Sequence, residues 1–201
     1  MKSSKQKSLK ILVLGRANVG KSTLINYFMG EKVSIVSRKA QTTRQNITAI
    51  NTEGLSQFTF IDTPGLNSTN KRISIKENFR SAVIRADLLI YVVDDRKVSR
   101  FFEKDLKNEL EGSQLNFNKK ILVINKIDKI NKDELLEITR ETYKKIEFDE
   151  TFFISLKKGY GTKEMIDWLE SELIERDWEF KSNERTNIAR DQFLCELTRE
   201  Q

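Results

Sequence analysis

Histidine is missing from all 201 residues, and cysteine and proline occur once each. Without histidine there is no imidazole base, no serine–histidine nucleophile and no histidine-ligated zinc. The lone thiol, Cys195, cannot close an intrachain disulfide, so nothing points to an oxidising compartment and the cytoplasm is the default expectation. Long hydrophobic runs are also absent. The longest, Leu88 to Val93, is six residues, against the roughly 20 that a membrane-spanning helix needs. The basic start MKSSKQKSLK leads into an apolar stretch, Ile11 to Leu14, that is too short for the core of a signal peptide; residues 1–8 read as a solvated tail.

What is present is ordinary: 38% hydrophobic and 33% charged residues, in a chain long enough for one well-buried domain and a short appendage. Lysine and arginine number 36 against 30 acidic residues, a net +6 that favours a polyanion such as RNA or an anionic membrane surface. Four of those lysines sit in the first ten residues, where charge serves first to solubilise a chain end.

Strand-like runs recur at 9–14, 47–51, 57–61, 88–93, 120–124 and 151–154, separated by helix-length segments. This alternation predicts a mostly parallel sheet. Asn51 to Gly54 leaves no room for a helical crossover, so the second and third runs should form an antiparallel hairpin and the sheet should be mixed. Helices are expected at 21–29, 75–85, 101–110, 133–146 and 163–174. The last places Met165, Ile166, Leu169, Leu173 and Ile174 on one face, the spacing of a helix lying on a sheet. From Asp177 the chain turns polar, then amphipathic with Ile188, Phe193, Leu194 and Leu197.

Gly15-Arg16-Ala17-Asn18-Val19-Gly20-Lys21-Ser22, continued by Thr23, follows a strand and opens a helix. Two glycines permit a tight loop whose N–H groups can face phosphate oxygens, and the helix N-terminus adds a favourable dipole. Lys21 should reach β and γ phosphates and Ser22 should offer its hydroxyl to Mg²⁺. A glycine turn before a helix is the plain alternative. Asp62-Thr63-Pro64-Gly65, at the end of the third strand run, argues against it. Asp62 can hold the same Mg²⁺ through water, and the Gly65 N–H can bond a γ phosphate and release it after hydrolysis. Asn125-Lys126-Ile127-Asp128 ends the fifth run, on the carboxyl edge where open α/β sheets bind ligands. The Asp128 carboxylate can accept from guanine N1–H and its 2-amino group, whereas adenine has neither donor. The polar loop 37–44 fits a segment that senses phosphate. Thr43 is preferred to Thr42 for completing the metal shell, and Arg38, Lys39 and Arg44 are either solvated or in contact with phosphate or RNA.

GRANVGKSTL, VSRKAQTTR, DTPGL and NKID together resemble one family, the Era GTPases of bacteria, which couple a GTPase domain to an RNA-binding KH domain in small ribosomal subunit assembly. The resemblance implies a P-loop NTPase of the Ras-like (TRAFAC) class, with a six-stranded mixed sheet and helices on both faces. It implies GTP and GDP as ligands with Mg²⁺ held by Ser22, Thr43 and Asp62, the small subunit and its 16S rRNA as partners, and a cytoplasmic protein with peripheral contact at the inner membrane face. Leu66 stands where Ras-type proteins carry a water-positioning glutamine, so turnover by Lys21, Thr43, Gly65 and Asn18 should be slow. Asn18 matches an asparagine that in related GTPases helps bind K⁺, which predicts potassium stimulation. Ser155 and Leu156 fall in the base-packing loop, where the family usually reads serine–alanine, so Leu156 can crowd guanine and lower affinity, although the contact expected there is a backbone N–H that any residue offers. The domain reading is a tail over 1–8, a GTPase domain over 9–176, and over 177–201 a linker with the start of a KH helix. The missing KH domain weakens the RNA expectation. It leaves open the alternative of a truncated or degenerate remnant that binds GTP without RNA-coupled function.

Overall fold

A computed structural model of the chain describes residues 5–16, 18–30, 47–62, 86–94, 117–144 and 146–186. The central strands are apolar at nearly every position, the pattern of a sheet buried on both faces. β1 (Lys7–Gly15) lies between β3 (Ser56–Asp62) and β4 (Leu88–Val93), parallel to both. β5 (Lys119–Ile124) and β6 (Glu150–Phe153) continue the parallel run beyond β4. β2 (Ile47–Glu53) closes the other side antiparallel to β3, the expected hairpin, with Gly54 in the left-handed region at its turn (φ 57°). Alternation sorts the core into two clusters. Leu9, Ile11, Val13, Phe60, Ile90 and Val123 face one way, while Leu12, Leu14, Leu89, Tyr91 and Leu122 face the other.

Helices cover both faces. α1 (Lys21–Met29) and α3 (Thr162–Ser171) bury Leu24, Ile25, Met165 and Leu169 in the first cluster, and α2 (Lys132–Tyr143) buries Ile138 in the second. A capping box starts α2: the Asn131 side chain accepts from the Glu134 N–H and the Glu134 carboxylate accepts from the Asn131 N–H. The helices expected at 75–85 and 101–110 lie outside the described residues. No helix among the described residues is long and apolar enough to cross a membrane.

The last helix ends earlier than periodicity predicts. Ile174 is not on the buried face of α3; it stands exposed in a seventh strand, β7 (Ile174–Glu175), paired antiparallel with Ser8 and Lys7 of β1. Glu172, just past the helix, is drawn to Lys119 Nζ at 2.5 Å. From β7 the chain runs on as a strap across the sheet. Arg176 pairs with Asp87 and donates to Ser8 Oγ at 2.5 Å, and Trp178 Nε1 donates to the Lys7 carbonyl at 3.1 Å. Gln57 and Phe180 exchange two bonds, 2.9 and 3.3 Å, and the Ile50 N–H donates to the Arg185 carbonyl at 2.8 Å. Residues 177–186 of the polar stretch are thus hydrogen-bonded to the domain. Arg176→Met is expected to destabilise the chain by about 1–2 kcal/mol, because charge-assisted bonds are lost while Asp87 keeps the Lys10 N–H. A shift of the urea midpoint checks this; an unchanged midpoint would mean that the Arg176 bonds add nothing to stability.

Candidate functional site

Parallel strands deliver their C-terminal ends to one edge of the sheet, and the sequence-predicted residues that the structure describes meet there. Gly15 ends β1 with φ 151°, and a Cβ on it would lie 2.4 Å from the Val92 carbonyl oxygen, so only glycine lets β1 and β4 stay paired here. Arg16 follows, Asn18 sits in the left-handed region (φ 65°), and Val19 is buried in the core. Gly20 (φ 110°) caps α1; no side chain caps that helix and no acidic residue stands in its first turn. The free N–H groups and dipole of such a helix start favour an anion. Lys21 is 8% exposed, and its Nζ donates to the carbonyls of Gly15 and Arg16 at 3.0 and 2.9 Å. Burial pushes its pKa down, opposed by the charge of Asp62. An ammonium held on loop carbonyls is a ready partner for phosphate.

Ser22 Oγ donates to Asp62 Oδ2 at 3.0 Å, with Asp62 itself 1% exposed at the end of β3. A hydroxyl and a carboxylate side by side form a hard-oxygen donor pair that suits Mg²⁺. Among the described residues no group of three or more acidic, cysteine or histidine side chains could hold a metal. Thr23 is exposed on the first turn of α1. Ala17, Thr43, Thr63, Pro64, Gly65 and Leu66 lie outside the described residues.

The base loop is stitched to the phosphate loop. Asn125 is buried and donates through Nδ2 to the Val19 carbonyl at 2.9 Å, while its Oδ1 accepts from the N–H of Lys126 at 2.8 Å and of Leu156 at 3.4 Å. Lys126 takes a left-handed backbone (φ 65°), and its Nζ donates to the Asn18 carbonyl at 2.8 Å and to Asp94 at 2.6 Å. A 3₁₀ turn, Ile127–Lys129, then leaves Asp128 exposed at the rim. Ser155 is fully buried and donates to Asp128 Oδ1 at 2.6 Å, which orients the carboxylate. Leu156 packs, half-buried, against the first-face core, with Cδ1 3.7 Å from where a Gly20 Cβ would lie. Asp94 carries no motif; its one signal in the sequence is an aspartate directly after an all-apolar strand at the ligand edge.

The bond from Ser155 is the leading cause that holds the Asp128 pKa below its ordinary 3.8. In the folded chain Asp128 therefore stays ionised to lower pH than in the unfolded one; this favours folding above about pH 3.8 and is lost as pH falls through the folded value. Ser155→Ala is expected to raise the Asp128 midpoint, measured on its carboxyl carbon by NMR. A midpoint that did not move would take Ser155 out of this role.

Known proteins share this fold and much of this sequence. The family described as 50S ribosome-binding GTPase matches residues 10–126. GTPase Era of Agrobacterium fabrum is 34% identical over 192 residues, 94% of this chain and 60% of that protein; GTPase Era of Histophilus somni is 44% identical over 153 residues, 74% of this chain and 50% of that protein. The chain thus spans only half to three-fifths of the length of these relatives. A crystal structure of Era in complex with MgGDPNP and nucleotides 1506–1542 of 16S ribosomal RNA superposes with a TM-score of 0.81 at 30% identity, over 97% of this chain and 66% of that one. An Aquifex aeolicus Era variant bound to GDP and tetrafluoroaluminate does so with the same TM-score at 32% identity, again over 97% and 66%. With a P-loop GTPase fold and more than half of its residues within the family match, the chain belongs to the 50S ribosome-binding GTPase family and resembles the Era GTPases over nearly its whole length.

Proposed function

We propose that this chain binds GTP with Mg²⁺, hydrolyses it slowly, and serves as the nucleotide-sensing part of a factor acting on the small ribosomal subunit and its 16S rRNA. The observation that carries the nucleotide reading is the stitching of two loops over one space: Lys21 and the α1 N-terminus at one end, Asp128 held by Ser155 at the other. A ligand with phosphates at one end and a two-donor base edge at the other satisfies both. Ser22 and Asp62 would hold the metal, with Thr43 as a third ligand. A Mg²⁺ held there would supply charge neutralisation to the phosphates. Lys21 would exchange its loop carbonyls for phosphate oxygens, and the Gly65 N–H would bond the γ phosphate and let go after hydrolysis. Leu66 cannot orient water, so hydrolysis relies on charge placed around the phosphates, and K⁺ beside Asn18 would add to it. The RNA half of the reading rests on the Era relatives, one of which is seen with a 16S rRNA fragment.

Single-turnover measurements test the reading. GTP is expected to be hydrolysed at roughly 10⁻⁴ to 10⁻² s⁻¹, only with Mg²⁺, and ATP not at all; equal use of ATP would sink it. KCl should give about tenfold faster turnover than NaCl at equal ionic strength, the equivalent of roughly 1.4 kcal/mol in the barrier, and equal rates would remove K⁺ from the account. GTP-dependent retention of small subunits or of a 16S rRNA fragment supports the partner assignment. Nucleotide binding without such retention refutes it for these residues.

A further inference from the structure

One buried carboxylate has no part in the nucleotide chemistry above. Asp94 follows the last residue of β4, is 2% exposed, and lies 2.6 Å from the Lys126 ammonium. That ammonium also donates to the Asn18 carbonyl, so the Lys126 side chain bridges the base loop and the phosphate loop. We propose that Asp94 is a positioning residue for guanine-nucleotide binding, fixing Lys126 as a strut between the two loops so that its four methylenes make an apolar strip for the base to lie against. The proposal rests on reading the site as a guanine-nucleotide site.

Three features support it. A lysine stem has four rotatable bonds and an ammonium with three donors, so one carbonyl is a weak anchor; a buried carboxylate on a rigid strand end selects one extended rotamer. Asp94 is well placed for this, because the neighbouring Val93 carbonyl accepts the Asn125 N–H at 2.8 Å and ties the base loop to the same strand end. Lys126 also has a left-handed backbone, disfavoured for a residue with a Cβ, and it is held there by the Asn125 side chain. Finally, the pair is only partly buried, with the Lys126 side chain 27% exposed, so it adds little to stability. Its use at the ligand edge points to placement of the lysine instead. Lysine stems commonly lie along flat apolar surfaces while the charge is satisfied elsewhere, and here Asp94 satisfies it.

The test compares wild type, D94N, D94A, K126A and the double variant D94A/K126A, reading GDP dissociation constants, inorganic pyrophosphate affinity and urea stability without nucleotide. GDP affinity is expected to fall by about 10- to 100-fold in D94A, the loss typical of a charged hydrogen bond. It should fall less in D94N, and no further in the double variant than in K126A, while pyrophosphate affinity is unchanged. Losses that multiply in the double variant, or that fall equally on GDP and pyrophosphate, would overturn the proposal. If D94A does not fold, D94N with K126A decides by the same split between GDP and pyrophosphate. Wild type that binds pyrophosphate but no guanine nucleotide would sink the function reading and this one together. Wild type that binds GDP normally, with D94N and D94A unimpaired, would sink this one alone.

Discussion

Asp128→Asn is expected to lower GDP affinity by about 10²- to 10³-fold and to turn the preference toward xanthosine diphosphate. Guanine presents two donors to the carboxylate, and an asparagine can accept only one of them while its amide N–H₂ meets the other. Both the lost charge-assisted bond and the unpaired donor count against guanine, together about 3–4 kcal/mol. Xanthine carries an oxygen at C2, which the carboxylate repels and the amide can satisfy. Asp128 is exposed at the rim and an asparagine Oδ1 can still accept from Ser155 Oγ, so the change should appear mainly in specificity, with only a small loss in unfolding from the weaker, uncharged bond. Displacement of a fluorescent guanine nucleotide by GDP and by xanthosine diphosphate measures both arms. Undiminished GDP binding by the variant would show that the base does not sit at Asp128.

A second large effect should come from Gly20→Ala. The new Cβ would lie 2.3 Å from Asn125 Nδ2, and Gly20 has φ 110°, a conformation that an L side chain rarely adopts. Backbone strain costs about 1–3 kcal/mol and the clash a similar amount. Asn125 is the group that must give way, and it holds the Val19 carbonyl and the Lys126 N–H together. Relief of the clash therefore dismantles the stitching between the loops. Nucleotide affinity should fall by at least about 100-fold, with a loss of about 3 kcal/mol in stability without nucleotide. Calorimetric titration with GDP and urea unfolding read the two effects separately. Retained affinity with lost stability would mean that the two loops bind independently.

Much of the fold and of the site is legible in the amino-acid sequence wherever pattern and chemistry coincide. Strands such as 88–93 are apolar at every position because both faces are covered, and the short 51–54 interval forces a hairpin. The phosphate loop can be read because its backbone conformations at Gly15 and Gly20 demand glycine, and Asp128 stands out as a carboxylate just past a strand on the ligand edge. Ile174 misleads because Met165, Leu169 and Leu173 set a helical rhythm that it happens to continue, whereas Lys119 takes Glu172 and β1 takes the next residues. The strap is hidden by its polarity, though Ile174, Arg176, Trp178 and Phe180 follow a period of two. Asp94 escapes for a different reason: its partner, Lys126, is brought to it only by the pairing of β4 with β5.

The stitching of the site also sets a timetable for the growing chain. Asn18 and Val19 offer their carbonyls to partners that lie 108 and 106 residues later. At synthesis rates of about 5–20 residues per second, roughly 5–20 s pass before the second half of the binding site exists. A nucleotide gripped by both loops could therefore steady the fold only after Asn125 and Lys126 have emerged, and until then the phosphate loop is held by β1 and its strand neighbours.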